Sequence, residues 1–137
     1  LRETMMRKGV GADKRMKAEE LFFDNDFSTP LKTSEPLLND ALEAVRWAPS
    51  AVNKQPWRIV RRDGTFHFYK YSEKEYWSEA VGDMQRIDIG IALCHFVTVF
   101  AENNVKAEIV IADPGIAAPE KMTYIASVKI REGKTDE

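Results

Sequence analysis

The stretch Ala48-Pro49-Ser50-Ala51-Val52-Asn53-Lys54-Gln55-Pro56-Trp57 joins two regular elements through a short segment bounded by two prolines. Pro49 ends the element before it, because proline lacks the backbone N–H that a helix interior requires. Pro56 restricts the residue before it to extended conformations and so fixes where the next strand can begin. The residues between the prolines are therefore predicted to form a short irregular loop whose backbone N–H groups no regular element uses.

The polar residues of this loop allow two interpretations. Ser50, Asn53 and Gln55 are polar side chains at near-alternate positions. An amide donates and accepts hydrogen bonds at once, so such a loop suits the edge of a planar heterocycle that carries carbonyls and ring nitrogens. Amide side chains also commonly satisfy the backbone of their own loop. The residues alone leave both interpretations open, and the second is the more common in proteins.

The elements on either side of the loop have clear periodicities. Before it, Ser34 is the expected N-cap of an amphipathic helix with Pro36 in its first turn, and apolar residues recur at helical spacing up to the loop. After it, Asp63-Gly64 separates two runs rich in aromatic and β-branched residues. Because this dipeptide suits a type I′ turn, the two runs are predicted to form a β-hairpin.

The remaining sequence predicts one long helix followed by two strands. The helix extends from about 83 to 103, and its apolar residues surround most of the axis, which indicates burial on nearly every side. Asn103-Asn104 suits its C-terminus, and strands are predicted at 106–112 and 122–131. The order of elements predicts an α+β fold, with an antiparallel-rich sheet and a buried central helix. One sheet and one other helix cannot cover such a helix, so a second copy or a missing N-terminal half of the same chain is expected to pack on it.

The chain is predicted to contain one domain preceded by a connecting segment. Residues 1–33 are interpreted as a linker and the tail of a preceding unit, because they hold only a short helical stretch near 19–23 and a polar stretch that ends at Pro30. Residues 34–137 are interpreted as the α+β domain, which agrees with a chain of 137 residues that is 44% hydrophobic and 31% charged.

Composition and charge exclude several classes of function. The 20 Lys and Arg nearly balance the 22 Asp and Glu, so no net field recruits nucleic acid or an anionic membrane. The longest apolar run, 89–101, is too short to span a bilayer, and no signal peptide is visible, which predicts a cytoplasmic protein. Cys94 lies in this run and is expected to behave as a small buried hydrophobe.

No metal ligand set is predicted. His67 and His95 lie far apart in the sequence without carboxylate or cysteine companions at ligand spacing, so both are expected to be structural. The sequence has no Gly-x-Gly-x-x-Gly motif, Walker loop or nucleophile elbow. Nucleoside triphosphate chemistry and serine hydrolysis therefore have no support.

With the helix before it and the strand after it, the loop resembles the signature of the nitroreductase-like FMN-dependent oxidoreductases. The matching positions are Pro49, Ser50, Asn53, Gln55, Pro56 and Trp57. A weaker likeness extends over 36–131 and includes Asp88-x-Gly90 in the long helix. The resemblance implies the nitroreductase fold, FMN as the cofactor and a flavin that lies where two units meet.

The resemblance also implies which residues bind the cofactor. Those implied to line the flavin ring and ribityl chain are Pro49, Ser50, Ala51 and Asn53, with Gln55 as a further contact or a loop brace. Family members carry an arginine-containing segment at their start that binds the phosphate, and nothing similar precedes Pro36 here. In members with two half-domains in one chain, a basic tail closes the first half and reaches the FMN phosphate, and Lys14, Arg15 and Lys17 resemble that tail. This chain would then be the C-terminal half, and a solvated charged turn is the competing interpretation of the three cations.

The implied activity is that of an FMN-dependent oxidoreductase, which passes electrons from NAD(P)H to a nitroaromatic, a quinone or a similar small acceptor. Because the flavin carries the chemistry, no acid or base side chain is required and no catalytic residue is assigned. The competing hypothesis is a non-catalytic flavin-binding or structural half-domain in which the loop only braces the fold.

Overall fold

In a computed structural model of the chain, the structure describes residues 14–50, 53–72 and 79–131, without the side chains of 79–83. Three helices and five strands occur in this part of the chain. In order they are α1 (Ala18–Leu21), β1 (Phe22–Asp24), α2 (Pro36–Arg46), β2 (Trp57–Arg62), β3 (Thr65–Tyr71), α3 (Glu79–Glu102), β4 (Lys106–Val110) and β5 (Met122–Arg131). The α+β class predicted from the sequence is confirmed.

The five strands form one sheet in the order β1-β2-β3-β5-β4. Only the β1–β2 pair is parallel, and the other three pairs are antiparallel. The β2–β3 hairpin turns at Asp63 and Gly64, whose φ angles are 53° and 75°. Positive φ at both central residues is what a type I′ turn requires, so the predicted hairpin is confirmed.

The stretch before α2 contributes to the same sheet. Phe22 pairs with Ile59 across the parallel β1–β2 ladder, and Leu21 and Phe22 are buried in the core. The sequence predicts a linker here, and a strand of three residues has too few alternating positions to be recognised from its own pattern. The domain boundary at 33/34 stays a prediction, but residues on both sides of it share one sheet.

The N-cap of helix α2 lies one residue later than predicted. Its N-cap is Glu35 and not Ser34, and the Glu35 N–H donates to Thr33 Oγ1 at 3.1 Å. Pro36 then occupies the first helical turn, as expected, because its missing N–H has no intrahelical partner there anyway. The buried face of α2 comprises Leu38, Ala41, Leu42 and Val45.

Helix α3 packs one face against the sheet and leaves the opposite face open. The face toward the sheet includes Ile89, Ala92, Phe96 and Phe100, all of which are buried. On the other side, Ile87 is 63% exposed and Met84 43%. The described chain thus covers one side of this helix, and the cover expected on the other side from a second copy or an N-terminal half of the same chain stays a prediction. Apolar composition all around the axis does not tell which side the same chain covers.

Cys94 lies on the open face and is exposed, so the prediction of a buried thiol is wrong. The reason is the same as for the helix as a whole, since the apolar neighbours in sequence point to different sides of α3. Residues Met84–Glu102 are long and apolar enough to cross a membrane by length and composition, with a mean hydropathy of 1.3. Core helices of soluble proteins meet the same criterion, and α3 is the core helix of this sheet.

The far face of the sheet carries a smaller apolar cluster of Val60, Tyr69 and Ile116. A register shift between Phe68 and Tyr69 interrupts the β3–β5 ladder. Because such a bulge moves the following side chains to the other face, the alternation predicted along 122–131 changes side within the strand. Tyr124 packs on the far face, whereas Ala126 and Val128 belong to the core under α3.

Candidate functional site

The proline-bounded loop is closed by hydrogen bonds to Ser50. The Asn53 N–H donates to the Ser50 carbonyl at 3.0 Å, and the Gln55 N–H donates to Ser50 Oγ at 2.9 Å. Asn53 and Gln55 both have positive φ, 51° and 49°. Asparagine tolerates this conformation better than most residues, whereas glutamine is less common there. The extended conformation expected for Gln55 before Pro56 is therefore wrong, and the bonds that close the loop hold Gln55 in the left-handed region instead. Ser50 thus fixes the path of the loop, and Ala51 lies outside the described residues.

The two amide side chains of the loop fasten it to the segment that precedes α1. Gln55 Oε1 accepts the Met16 N–H at 2.7 Å, and Gln55 Nε2 donates to the Asn53 carbonyl at 3.0 Å. Asn53 Nδ2 donates to the Lys14 carbonyl at 2.7 Å. Gln55 is only 5% exposed. These bonds are of the bracing type that amide side chains commonly make to backbone, and they bring residues 14–16 directly beside the loop.

The cations predicted to bind a phosphate therefore lie next to the loop. Arg15 donates from Nη2 to the Trp47 carbonyl at 3.4 Å, and Lys14 and Lys17 are exposed on the same segment. The sequence interpretation missed Arg46, which donates from Nη1 to the Met16 carbonyl at 2.8 Å. Its helical position at the end of α2, just before the loop, was the available signal. Together these residues form a cationic edge, defined as Lys14, Arg15, Lys17 and Arg46.

A cleft opens between the start of the loop and the open face of α3. Its volume is about 300 Å³, and it is lined by Pro49, Ser50, Met84, Ile87, Asp88 and Ile91. The lining is mainly apolar, and Asp88 within it is only 4% exposed. The helical spacing of 84, 87 and 91 places these side chains on one stripe. The sequence analysis did not assign these residues to a binding site, because it expected a second copy or an N-terminal half to cover this side of the helix.

The residues present fit a planar ring with an anionic tail. Apolar side chains on both sides of the cleft suit the faces of an aromatic ring, and the Ser50 hydroxyl adds a polar group at the loop. The cationic edge adjoins the loop and suits a phosphate. The amides of Asn53 and Gln55 bond within the protein, so they hold the loop in shape rather than offering their full hydrogen-bonding capacity to a ring.

Neither histidine belongs to the cleft. His67 is buried on the far face of the sheet, with Nδ1 2.6 Å from Ser127 Oγ. Burial, and secondarily the charge of Arg62, lowers the pKa of His67 below its usual 6.5. His95 Nδ1 lies 2.9 Å from the Ile91 carbonyl one turn earlier in α3. Over 14–50, 53–72 and 79–131 no three His, Cys, Asp or Glu side chains are grouped so that they could hold a metal ion.

A mostly antiparallel five-stranded sheet, a long helix across it and a proline-bounded loop at the open side of that helix define a nitroreductase-type α+β protein. The sequence matches the family described as "Putative TM nitroreductase" over residues 4–100, which is more than half of the chain. The chain belongs to this family. No protein with a curated description matches its sequence.

Solved structures show the same fold at low sequence identity. The nitroreductase CinD from Lactococcus lactis, solved in complex with nicotinic acid, is 16% identical with a TM-score of 0.63, covering 96% of this chain and 91% of that chain. A nitroreductase family protein from Clostridium difficile 630 is 18% identical with a TM-score of 0.62, covering 93% and 86%. An FMN-dependent nitroreductase from Clostridium difficile R20291 is 14% identical with a TM-score of 0.57, covering 93% and 89%. The nitroreductase fold predicted from the loop is confirmed.

Proposed function

We propose that this protein is an FMN-dependent oxidoreductase that binds the flavin in the cleft between the proline-bounded loop and α3. The observation that carries the proposal is that one loop lines the apolar cleft with Pro49 and Ser50 and also bonds the cationic segment 14–16 through Asn53 and Gln55. FMN likewise combines a flat aromatic ring with a phosphate. The family membership and an FMN-dependent relative of the same fold support it.

The loop residues divide into two roles in this proposal. Pro49 and Ser50, with Ala51, line the flavin ring and ribityl chain. Asn53 and Gln55 contribute mainly by holding the loop against residues 14–16, since their amides make the bonds described above.

Three of the four residues of the cationic edge bind the phosphate in this proposal. Lys14, Arg15 and Lys17 are the residues we assign to it, because they adjoin the loop and carry positive charge. A hydrogen bond to a charged group contributes about 1.5–3 kcal/mol. Two or three of them would therefore account for a substantial part of the flavin's binding free energy.

When bound, the flavin would accept a hydride from NADH or NADPH and pass electrons to a small acceptor. The chain would bind and orient the ring, and the apolar walls of the cleft would exclude water from its faces. We assign no catalytic side chain. Nitroaromatic compounds and quinones are the proposed acceptors, and CinD has been solved in complex with 4-nitrophenol and with chloramphenicol.

The open face of α3 is proposed to be covered by a second copy or by an N-terminal half of the same polypeptide. Met84 and Ile87 are exposed beside the cleft, and the half-buried Ile91 continues their apolar stripe. Exposed apolar patches next to a binding site commonly mark an interface. A partner there would close the cleft on its open side. We also propose that the protein acts in the cytoplasm.

The visible absorbance spectrum of the purified protein tests the proposal. We expect a yellow protein that retains stoichiometric flavin through gel filtration, and we expect anaerobic addition of NADH or NADPH to bleach that absorbance. A colourless protein that does not bind added FMN would contradict the cofactor assignment. Bound flavin that neither nucleotide reduces would contradict the reductant.

A structural half-domain without turnover is the second candidate. The bonds from Asn53 and Gln55 into the backbone of 14–16 favour it, because they give the loop a bracing role that needs no ligand. Two measurements separate the candidates, namely the stability of Gln55→Ala and the affinity of the wild type for FMN. If Gln55→Ala lowers the free energy of unfolding while FMN has no measurable affinity for the wild type, the loop is only a brace.

A further inference from the structure

Trp47, two residues before Pro49, is 51% exposed, and two arginine side chains lie near its indole. The guanidinium carbon of Arg15 lies 5.1 Å from the indole centroid, and that of Arg46 lies 5.2 Å from it. Both distances fall in the cation–π range. An exposed tryptophan beside a cleft is unusual for a purely structural residue, because an aromatic ring of this size is normally buried or covered by a ligand.

Both guanidinium groups are held in place by the backbone. Arg15 donates to the Trp47 carbonyl, and Arg46 donates to the Met16 carbonyl at 2.8 Å. Arg46 also pairs with Glu43 at 2.9 Å, but the Glu43 side chain is 51% exposed. An exposed ion pair of this kind contributes little, so a phosphate can replace the carboxylate at small cost. The arrangement is thus ordered before any ligand binds, which lowers the entropic cost of binding.

We propose that Trp47 and Arg46 bind the 2′-phosphoadenosine end of NADPH and so make the protein prefer NADPH to NADH. The inference rests on the proposed function, in which a nicotinamide dinucleotide reduces the flavin. The indole offers a face on which adenine stacks, and the guanidinium forms charge-assisted bonds to a phosphomonoester. NADH has the same adenine and pyrophosphate but lacks the 2′-phosphate, so only NADPH gains the contact with Arg46.

The position of Trp47 relative to the cleft suits a dinucleotide. Pro49 lines the cleft, and two residues of extended chain span at most about 7 Å. Trp47 therefore lies close to the cleft, and in this proposal the adenine end of the dinucleotide extends from the cleft over the protein surface to the indole. Arg15 is assigned above to the flavin phosphate, so the 2′-phosphate falls to Arg46, the second guanidinium near the indole.

Titration calorimetry with two nucleotides tests the proposal without any flavin. Adenosine 2′,5′-bisphosphate carries the 2′-phosphate, and adenosine 5′-monophosphate does not. We expect the bisphosphate to bind the 137-residue protein at least tenfold more tightly, the change that one charge-assisted hydrogen bond produces. Arg46→Gln should abolish most of this difference, and Trp47→Leu should weaken both nucleotides. Lys129→Gln, which removes an exposed cation on β5, is the control and should leave both affinities unchanged.

Equal affinity of the wild type for the two nucleotides would overturn the proposal. An Arg46→Gln protein that keeps the full preference for the bisphosphate would also overturn it. The same holds if Arg46→Gln still prefers the bisphosphate but binds FMN more weakly relative to riboflavin. In the last case Arg46 serves the flavin phosphate. If Arg46→Gln does not fold, Arg46→Lys and Trp47→Leu give the same comparison. Because the titration contains no flavin, its outcome is separate from whether the protein binds and reduces FMN.

In the flavin-loaded protein, the ratio of kcat/KM for NADPH to that for NADH gives an independent readout. We expect Arg46→Gln to lower this ratio by about tenfold through KM for NADPH, with kcat for either nucleotide little changed. An unchanged ratio, or an equal loss for both nucleotides, would contradict the assignment of the 2′-phosphate to Arg46.

Discussion

The two faces of α3 have similar apolar composition but opposite surroundings. Toward the sheet, Phe96 is fully buried and its ring lies 5.1 Å from that of Phe66, 5.4 Å from Phe68 and 5.2 Å from Phe100. Toward the cleft, Ile87 has no comparable cover and is 63% exposed. The inner face is thus part of the fold, whereas the outer face is available for a ligand or a partner. Composition alone does not separate these two uses, and packing does.

Among the substitutions considered, one on the inner face of α3 is expected to lower the free energy of unfolding most. Phe96→Ala removes a buried ring from an aromatic cluster and should lower the free energy of unfolding by about 3–5 kcal/mol. Urea unfolding followed by circular dichroism measures it. A loss below about 1 kcal/mol would mean that the inner face is not the tightly packed region described here.

Gln55 lies at the border between the packed core and the cleft. Gln55→Ala should lower the free energy of unfolding by about 1–3 kcal/mol, because the Met16 N–H and the Asn53 carbonyl lose their buried partner. Asn39→Ala is a suitable control, since it removes an exposed amide that donates only to the Thr33 carbonyl. If the two variants are equally stable, the loop is not fastened through Gln55.

A dependence of stability on pH is expected from the far face of the sheet. Burial lowers the pKa of His67 in the folded protein below its usual 6.5, so the folded chain holds this histidine neutral. Below about pH 6.5 the unfolded chain takes up a proton that the folded chain does not, and stability falls as the pH decreases until the lower folded pKa is reached. Urea unfolding between pH 7.5 and 5 should show this loss. His67→Gln, which cannot titrate, should reduce it, and an identical slope in that variant would refute the assignment.

A substitution on the outer face of α3 is expected to change the free energy of unfolding least. Ile87→Glu changes an exposed side chain and should alter the free energy of unfolding of the isolated chain by no more than about 0.5 kcal/mol. A loss comparable to that of Phe96→Ala would show that the two faces of α3 do not differ as described.

Local signals in the sequence predicted the elements that depend on neighbouring residues. The hairpin at Asp63-Gly64 is confirmed because positive φ is a property of the two turn residues themselves. Strand β5 has its predicted bounds, Met122–Arg131, and Asn104 adopts the left-handed conformation expected after α3. The resemblance of the loop to nitroreductases led to the fold.

What the sequence could not predict depends on distant contacts. The pairing of β1 with β2 joins residues far apart in the chain, and the exposure of Cys94 depends on which side of α3 the sheet covers. The cleft likewise combines the loop with residues about one to three turns into α3. The bond from Arg46 to the Met16 carbonyl joins residues that are 30 positions apart. None of these neighbours can be inferred from spacing along the chain.

The most direct test of the cleft compares the FMN affinity of two variants, each of which replaces one exposed isoleucine by glutamate. Ile87 lines the cleft, whereas Ile111 is 76% exposed just after β4, away from it. Fluorescence titration with FMN should show that Ile87→Glu weakens binding at least about tenfold, or 1.4 kcal/mol, because the carboxylate opposes the apolar ring. Ile111→Glu should bind FMN like the wild type. Wild-type affinity in Ile87→Glu, or an equal loss in both variants, would contradict the placement of the flavin between the proline-bounded loop and the open face of α3.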